Sequence, residues 1–375
     1  MKGLPLKTRI AGELERRIRK MDIKEHRLRQ LFWECTLSCN LSCRHCGSDC
    51  KMLPQASSEM KLESFLKVLD SVKADCDKRG YSTGEILVII SGGEPLMRKD
   101  LEQCGRAIIK KGFPWGMVTN GYAMSRERFT ALRKAGLHSM TVSLDGLKES
   151  HDWMRGRSGS FEKAIETIKL AVETFEKEGS ANEPVIGVGE IAFDVVTCVN
   201  MRNFQELKQI KELLISLGVR QWRLFTIFPS GRAAQDPTLQ LDNSHFKALL
   251  EFIAATRKEG RIKASYGCEG FLGEWEGKVR DNFYRCGAGI SVGSVLADGS
   301  ISACTSIRAD FNQGNIYRDD FMQVWNNAFK PYRDREWMRK DECGSCSFFR
   351  YCEGNGMHLR NSDGSLKFCH LQRLK

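Results

Sequence analysis

The chain has 375 residues, with 58 Lys and Arg against 47 Asp and Glu for a formal net charge of +11, and it carries 15 cysteines. That length can bury a large core and suggests two domains or one long barrel with an appendage. No run of about 18 apolar residues occurs and the N-terminus lacks an apolar export signal, so no membrane span and a cytoplasmic location are expected. In that reducing compartment clustered cysteines serve as metal ligands more often than as disulfides. The charge excess reads as a solvated basic surface; without a zinc-finger, RNA-recognition or helix-turn-helix signature, no nucleic acid partner is expected.

In chain order, residues 1–26 read as a basic helical segment whose "RRIRK" at 16–20 suits an acidic partner. "RLRQLFWECT" (27–36) reads as a strand that enters a cysteine loop, and "SEMKLESFLKVLDSVKADC" (58–76) has apolar residues at helical spacing. The continuous apolar run "EILVII" (85–90) is a buried strand followed by Gly-Gly, then "DLEQCGRAIIKKG" a helix with a terminal Gly stop. The alternation continues through "WGMVTNG", "SRERFTALRKAG", "SMTVSLDG" and a helix over 160–179 with Ser160 as its expected N-cap. A strand within 185–200, the helix "FQELKQIKELLISLG" and the strand "RQWRLFTIF" complete six strand–helix units. Such alternation predicts a parallel sheet with right-handed crossovers, closing partly into an open barrel whose site lies at the strand C-termini. Beyond residue 260 glycine becomes frequent, strands look short and seven cysteines gather, so a boundary is placed there: 27–260 as barrel, 261–375 as a small cysteine-rich domain.

The chemistry begins with "CNLSCRHC" (39–46), in which Cys39, Cys43 and Cys46 form a C-x3-C-x2-C array after the first strand. Structural zinc and complete iron–sulfur clusters each take four protein ligands, so three thiols point to a metal site with one position open. A zinc site completed by Cys35, Cys50 or His45 is the alternative. Cys35, Cys50, Cys76, Cys104 and Cys198 fit no motif and read as buried structural thiols.

This array, with "SGGEP" (91–95) after the second strand and "SLDG" (143–146) after the fourth, resembles the radical S-adenosylmethionine (SAM) enzymes over residues 30–235. "SLDGLKESHDWMRGRSGSFEKAI" and "FPSGRA" (228–233) resemble the subgroup with a C-terminal auxiliary-cluster domain, called SPASM. The resemblance implies a partial (βα)6 barrel of α/β class. It implies that Cys39, Cys43 and Cys46 hold three irons of a 4Fe–4S cluster whose fourth iron is chelated by SAM, which reductive cleavage turns into a 5′-deoxyadenosyl radical. Gly92 and Gly93 would let backbone approach the methionyl ammonium. Glu94 would accept a hydrogen bond or brace the turn, and Pro95 would stiffen it. Ser143 and Asp145 are candidates for ribose contact, with turn capping the favoured role for Asp145. Asn120 and Arg157 are further candidates for the SAM pocket.

The C-terminal cysteines match the family pattern at each position but one, for Gly356 stands where a cysteine is asked for. By family ligation Cys343, Cys346, Cys352 and Cys369 would bind one auxiliary 4Fe–4S cluster, and Cys286, Cys304 and Cys268 would form a second, three-cysteine site. One or two auxiliary clusters are therefore expected; a structural zinc is the alternative for the first four. The expected activity is hydrogen abstraction from a peptide or protein side chain, fed by a reductant protein such as flavodoxin or ferredoxin. A small-molecule or tetrapyrrole substrate is the alternative. A non-enzyme alternative is an iron–sulfur electron carrier, which would not need "GGEP".

Overall fold

The computed structural model describes residues 4–48, 50, 59–176, 193–267, 270–307 and 311–374. Helix α1 (Leu6–Glu25) precedes six alternating units: β1 (Gln30–Thr36) and α2 (Leu62–Arg79), β2 (Leu87–Gly92) and α3 (Leu101–Lys110), β3 (Trp115–Thr119) and α4 (Arg126–Lys134). They continue with β4 (Leu137–Ser143), the helices α5 (Lys148–Arg155) and α6 (Ser160–Ala171), β5 (Phe193–Val199), α7 (Leu207–Ser216), β6 (Gln221–Thr226) and α8 (Asn243–Glu259). β1 to β6 pair in order and all in parallel, as the alternation predicted. The parallel sheet does not stop at 260. β7 (Lys263–Tyr266) pairs in parallel with β6, because α8, which the sequence reading passed over, supplies one more crossover. Three short strands, β8 (Val292–Val295), β9 (Ser300–Ser302) and β10 (Gly314–Asn315), extend the same sheet beyond β1, with β8 parallel to it.

Local signals account for the helix ends. Ser125 caps α4, its hydroxyl accepting from Arg128 N at 3.1 Å, and Asp242 caps α8 by accepting from His245 N at 2.8 Å. Ser160 is not the cap of α6. It is the first helical residue, after Gly159, and its hydroxyl donates to Asp152 at 2.8 Å. The same carboxylate accepts from the backbone of Gly159 and Phe161, so the free amides are satisfied from the preceding helix.

Strand burial shows where the site can be. On β1, β3 and β6 the residues packed against the helices are fully covered: Trp33 stacks on Phe65 of α2 at 4.3 Å, Trp115 donates to the Ala135 carbonyl and Trp222 meets Phe252 of α8 edge-on. The alternate residues Phe32, Ile89, Val118, Thr141, Val196 and Arg223 are only half-buried. Side chains alternate across a strand, so these line the concave face, which solvent reaches. An ionic network crosses it: Thr141 donates to Asp194 at 2.6 Å, and Arg223 pairs with the same carboxylate.

The basic N-terminal helix is partly committed within the chain. Arg19 donates to the carbonyls of Tyr284 and Tyr351 and pairs with Glu353 at 3.1 Å, and Arg16 pairs with Glu13. No described helix is long and apolar enough to cross a membrane.

Candidate active site

The cysteine loop follows β1, and the strand ends close around it. Gly93 N donates to the Thr36 carbonyl at 2.8 Å and Glu94 N to the Ser38 carbonyl at 2.9 Å. A Cβ on Gly92, whose φ is +144°, would lie 2.1 Å from the Thr36 carbonyl oxygen, and one on Gly93 would lie 2.5 Å from that of Ser38. The close approach that the two glycines permit is thus to the cysteine loop itself. From the other side, Ser42 N and Arg44 N donate to carbonyls at the end of α5. The loop after β6 covers it: Arg232 donates to the carbonyl of Cys43 through Nε at 2.7 Å and to that of Cys46 through its backbone at 3.0 Å.

Each residue expected in the SAM pocket is accounted for. Glu94 is buried and braces the turn, accepting from Thr119 Oγ1 and Asn120 N at 2.7 Å each and from Leu96 N. Burial raises its pKa against those hydrogen bonds. Pro95 opens a single 3-10 turn, Pro95–Met97. Asn120 Nδ2 donates to Asn40 Oδ1 at 2.9 Å, and Arg157 donates to the Asn40 carbonyl at 2.9 Å with its cation over Tyr122. Both therefore hold the loop between Cys39 and Leu41. Ser143 ends β4, half-buried on the concave face.

Asp145 behaves otherwise than expected. Its carboxylate does not cap its own turn but pairs with Arg155 at 2.7 Å and His45 at 3.1 Å and accepts from Cys198 N at 2.8 Å. Burial opposes ionisation, yet Arg155 and His45 prevail and hold the carboxyl well below its ordinary range. His151 Nδ1 accepts from Asp145 N at 3.0 Å, and burial lowers its pKa to about 4, so this imidazole is neutral. Sequence spacing missed this cluster. His45 sits inside the motif but turns away to Asp145, and Cys198, read as a buried structural thiol, is half-buried beside them. The donor atoms of His45, Asp145 and Cys198 lie within 4.8 Å of one another, but the Arg155 guanidinium already neutralises the carboxylate that a cation would need.

Cys39, Cys43 and Cys46 are close enough for each thiolate to disfavour the next; burial first, then the Glu94 carboxylate and these neighbours, raise the Cys39 pKa to about 11. Arg155 Nη1 donates to Cys43 Sγ at 3.7 Å. Cys343, Cys346, Cys352 and Cys369 form a second such group, in which burial raises Cys352 to about 12. Cys286 and Cys304 share Tyr332 as a neighbour; Cys268 lies outside the described residues. A tetrahedral zinc with 2.3 Å bonds would draw sulfurs to about 3.8 Å apart. Among the described residues no three thiols lie within 4.8 Å of one another, so none is gathered as tightly as such a zinc would require. The aliphatic thiols Cys35 and Cys104 are buried on the helix side of the sheet, and Cys50 packs with Leu37 and Ala297.

Comparison with known proteins agrees with this geometry. A model of the radical SAM superfamily matches residues 33–201, and a model of an iron–sulfur cluster-binding domain, SPASM, matches residues 286–347. The chain is 28% identical over 345 residues to an AdoMet-dependent heme synthase of Methanosarcina barkeri, covering 87% of this chain and 90% of the relative. It is 23% identical to a PqqA peptide cyclase of Rhizobium meliloti, covering 84% and 78%. Among solved structures, Streptococcus suis SuiB bound to S-adenosylmethionine superposes with a TM-score of 0.65 at 16% identity, over 90% of this chain and 76% of that one. The enzyme anSMEcpe with bound AdoMet and a peptide gives 0.67 at 18% identity, over 92% and 94%. The chain thus carries a radical SAM domain over residues 33–201 and a SPASM domain over residues 286–347, which together make it a radical SAM enzyme of S-adenosylmethionine and 4Fe–4S clusters.

Proposed function

We propose that Cys39, Cys43 and Cys46 hold the SAM-binding cluster at the open end of the barrel and that the substrate is a tetrapyrrole. The convergence of the ends of β2, β3, α5 and β6 on one three-cysteine loop carries the first part. When bound, the cluster and SAM supply the one-electron chemistry that removes hydrogen from an unactivated C–H bond. The chain's own residues position and enclose. Glu94, Asn120, Arg157 and Arg232 fix the loop, and the half-buried face of β1 to β6 is the surface a substrate would meet. In this reading Gly92 to Pro95, Asn120, Ser143, Asp145 and Arg157 shape the SAM pocket through the loop rather than each by direct contact. Cys343, Cys346, Cys352 and Cys369 hold one auxiliary cluster, and Cys286 and Cys304 contribute to another.

The tetrapyrrole reading rests on the similarity to heme synthases, which spans 87% of this chain and 90% of the Methanosarcina barkeri relative. A second relative from that organism is an Fe-coproporphyrin III synthase, 25% identical. The formal charge of +11 suits a polycarboxylate substrate. A peptide substrate is the second reading, supported by the peptide cyclase and by subtilosin biosynthesis protein AlbA of Bacillus subtilis at 24% identity. Two measurements test the proposal. Anaerobically reconstituted protein with dithionite and SAM releases 5′-deoxyadenosine, and the Cys39/Cys43/Cys46 triple Ala variant does not; release at the wild-type rate by that variant sinks the assignment. Side-chain-deuterated Fe-coproporphyrin III transfers label into 5′-deoxyadenosine; transfer from a peptide but not from the porphyrin reverses the substrate reading.

A further inference from the structure

Five arginines are buried among the described residues: Arg19, Arg98, Arg155, Arg335 and Arg360. Three have carboxylate partners: Glu353 for Arg19, Asp100 for Arg98 and Asp145 for Arg155. The other two make no ion pair with a carboxylate among the described residues; Glu353 also acts on Arg335, but its ion pair is with Arg19. Arg360, 3% exposed, donates to the carbonyls of Gly354 and Gly364 and, through Nη2, to Cys343 Sγ at 3.1 Å. Arg335, 6% exposed, donates to the carbonyls of Tyr332 and Asn355, touches the Cys286 thiol, and leaves Nη2 without an oxygen or nitrogen partner. A buried cation without a counter-ion is strongly disfavoured, and carbonyl dipoles replace only part of its hydration. Each of these two guanidinium groups is directed at a cysteine of a different C-terminal group, so an anionic thiolate cluster at each group supplies the missing charge.

We propose that Arg335 and Arg360 are the counter-cations of the two auxiliary clusters and hold them at higher reduction potentials than the SAM-site cluster, where Asp145 cancels the charge of Arg155. Hydrogen bonds to cluster sulfur and net local charge are what a protein uses to set such potentials. Both favour the reduced state at the auxiliary groups. At the SAM site the donor to Cys43 is longer, 3.7 Å, and its charge is spent on Asp145. Arg335 also bears on Gly356. Its Nη1 lies 3.3 Å from the carbonyl of Asn355, the residue before Gly356, so a cation stands next to the position at which the family pattern has a fourth thiolate. The inference rests on the ligand groups assigned above.

The test is a potentiometric titration followed by electron paramagnetic resonance on anaerobically reconstituted full-length protein, with iron and sulfide counted in each sample. In the wild type two of three reduction transitions occur at higher potential than the third. Arg360→Gln and Arg335→Gln each shift one transition, a different one, by at least tenfold in the oxidised-to-reduced ratio at fixed potential, about 59 mV for a one-electron couple. Arg360→Lys and Arg335→Lys, which keep the charge, recover most of the shift. Asp145→Asn moves the SAM-site transition upward. If a Gln variant sheds about four irons and its Lys counterpart restores them, the counter-cation role is supported; shedding that Lys does not restore shows a packing role and overturns it. Gln variants with full iron and unshifted transitions also overturn it. Full iron in a Cys343/Cys346/Cys352 triple Ala variant would instead refute the ligand assignment beneath it.

Discussion

Replacing Gly93 with Ala probes the contact on which the cysteine loop rests. The backbone at Gly93 is not left-handed, so the substitution acts through sterics alone. The new methyl would lie 2.5 Å from the Ser38 carbonyl oxygen, 2.7 Å from that of Leu37 and 2.9 Å from the Ser38 carbonyl carbon, all backbone atoms. A relaxed carbon–oxygen contact is about 3.3 Å or longer, so the loop must retreat by roughly 0.8 Å. Overpacking of this kind costs about 1–3 kcal/mol. The retreat also pulls Ser38 from the backbone amide of Glu94 and displaces the adjacent Cys39. A misplacement of about 1 Å at a reacting centre costs on the order of 100-fold in rate. The expected result is a small loss of stability in urea, with SAM cleavage reduced about 100-fold. Gly47→Ala is the control, because a Cβ there meets nothing within 4 Å, and its activity should match the wild type. Wild-type stability and cleavage in Gly93→Ala would refute the claim that "GGEP" acts by seating the loop.

Truncating the fully buried Trp33 to Ala removes its stack on Phe65 and should cost about 3–5 kcal/mol in denaturant unfolding. Ser125→Ala removes the cap of α4 and should cost about 1 kcal/mol, measurable in the same assay, with no change in iron content. Because the folded Asp145 carboxyl titrates below its unfolded value of about 3.9, its contribution is complete above that pH and is lost as pH falls through the folded value. Acid unfolding of Asp145→Asn should therefore be shallower than that of the wild type. Burial raises Cys39 to about 11 and Cys352 to about 12, so the apo-thiols are protonated at neutral pH and cluster assembly must release protons. Reconstitution followed by absorbance should quicken from pH 7 to pH 9; a flat profile would contradict the protonated apo-thiols.

Much of the barrel was legible because its signals are local. Apolar runs closed by glycine placed β2, and helical periodicity placed α2 within a few residues of its observed ends. The cysteine motif and "GGEP" were legible because both belong to one loop contact, now seen in the bonds from Gly93 N to the Thr36 carbonyl and from Glu94 N to that of Ser38. What was not legible arises between segments distant in sequence. Asp145 reads as a turn residue until Arg155 and His45 are placed on either side of its carboxylate. Arg335 and Arg360 have no spacing pattern, and only the fold shows that they are buried and make no ion pair with a carboxylate among the described residues. The seventh strand was missed because β7 is only four residues long and the helix before it, α8, was not read as a crossover.

The pairing of β8 with β1 affects the order in which the chain can fold during synthesis. Gln30 pairs with Val292, 262 residues later, so one edge of β1 stays unpaired until the C-terminal region has left the ribosome. At about 5–20 residues per second that interval is roughly 13–50 s. Throughout it the strand "QLFWECT" offers an open hydrogen-bonding edge and a cysteine-rich loop beside it. A chain truncated before β8 would keep that edge permanently, and self-association through β1 is its expected fate. The SPASM region thereby acts as a closing strand for the barrel as well as a scaffold for its own cysteines, and the two cannot be separated by a cut near residue 260 without exposing the strand that carries the three-cysteine loop.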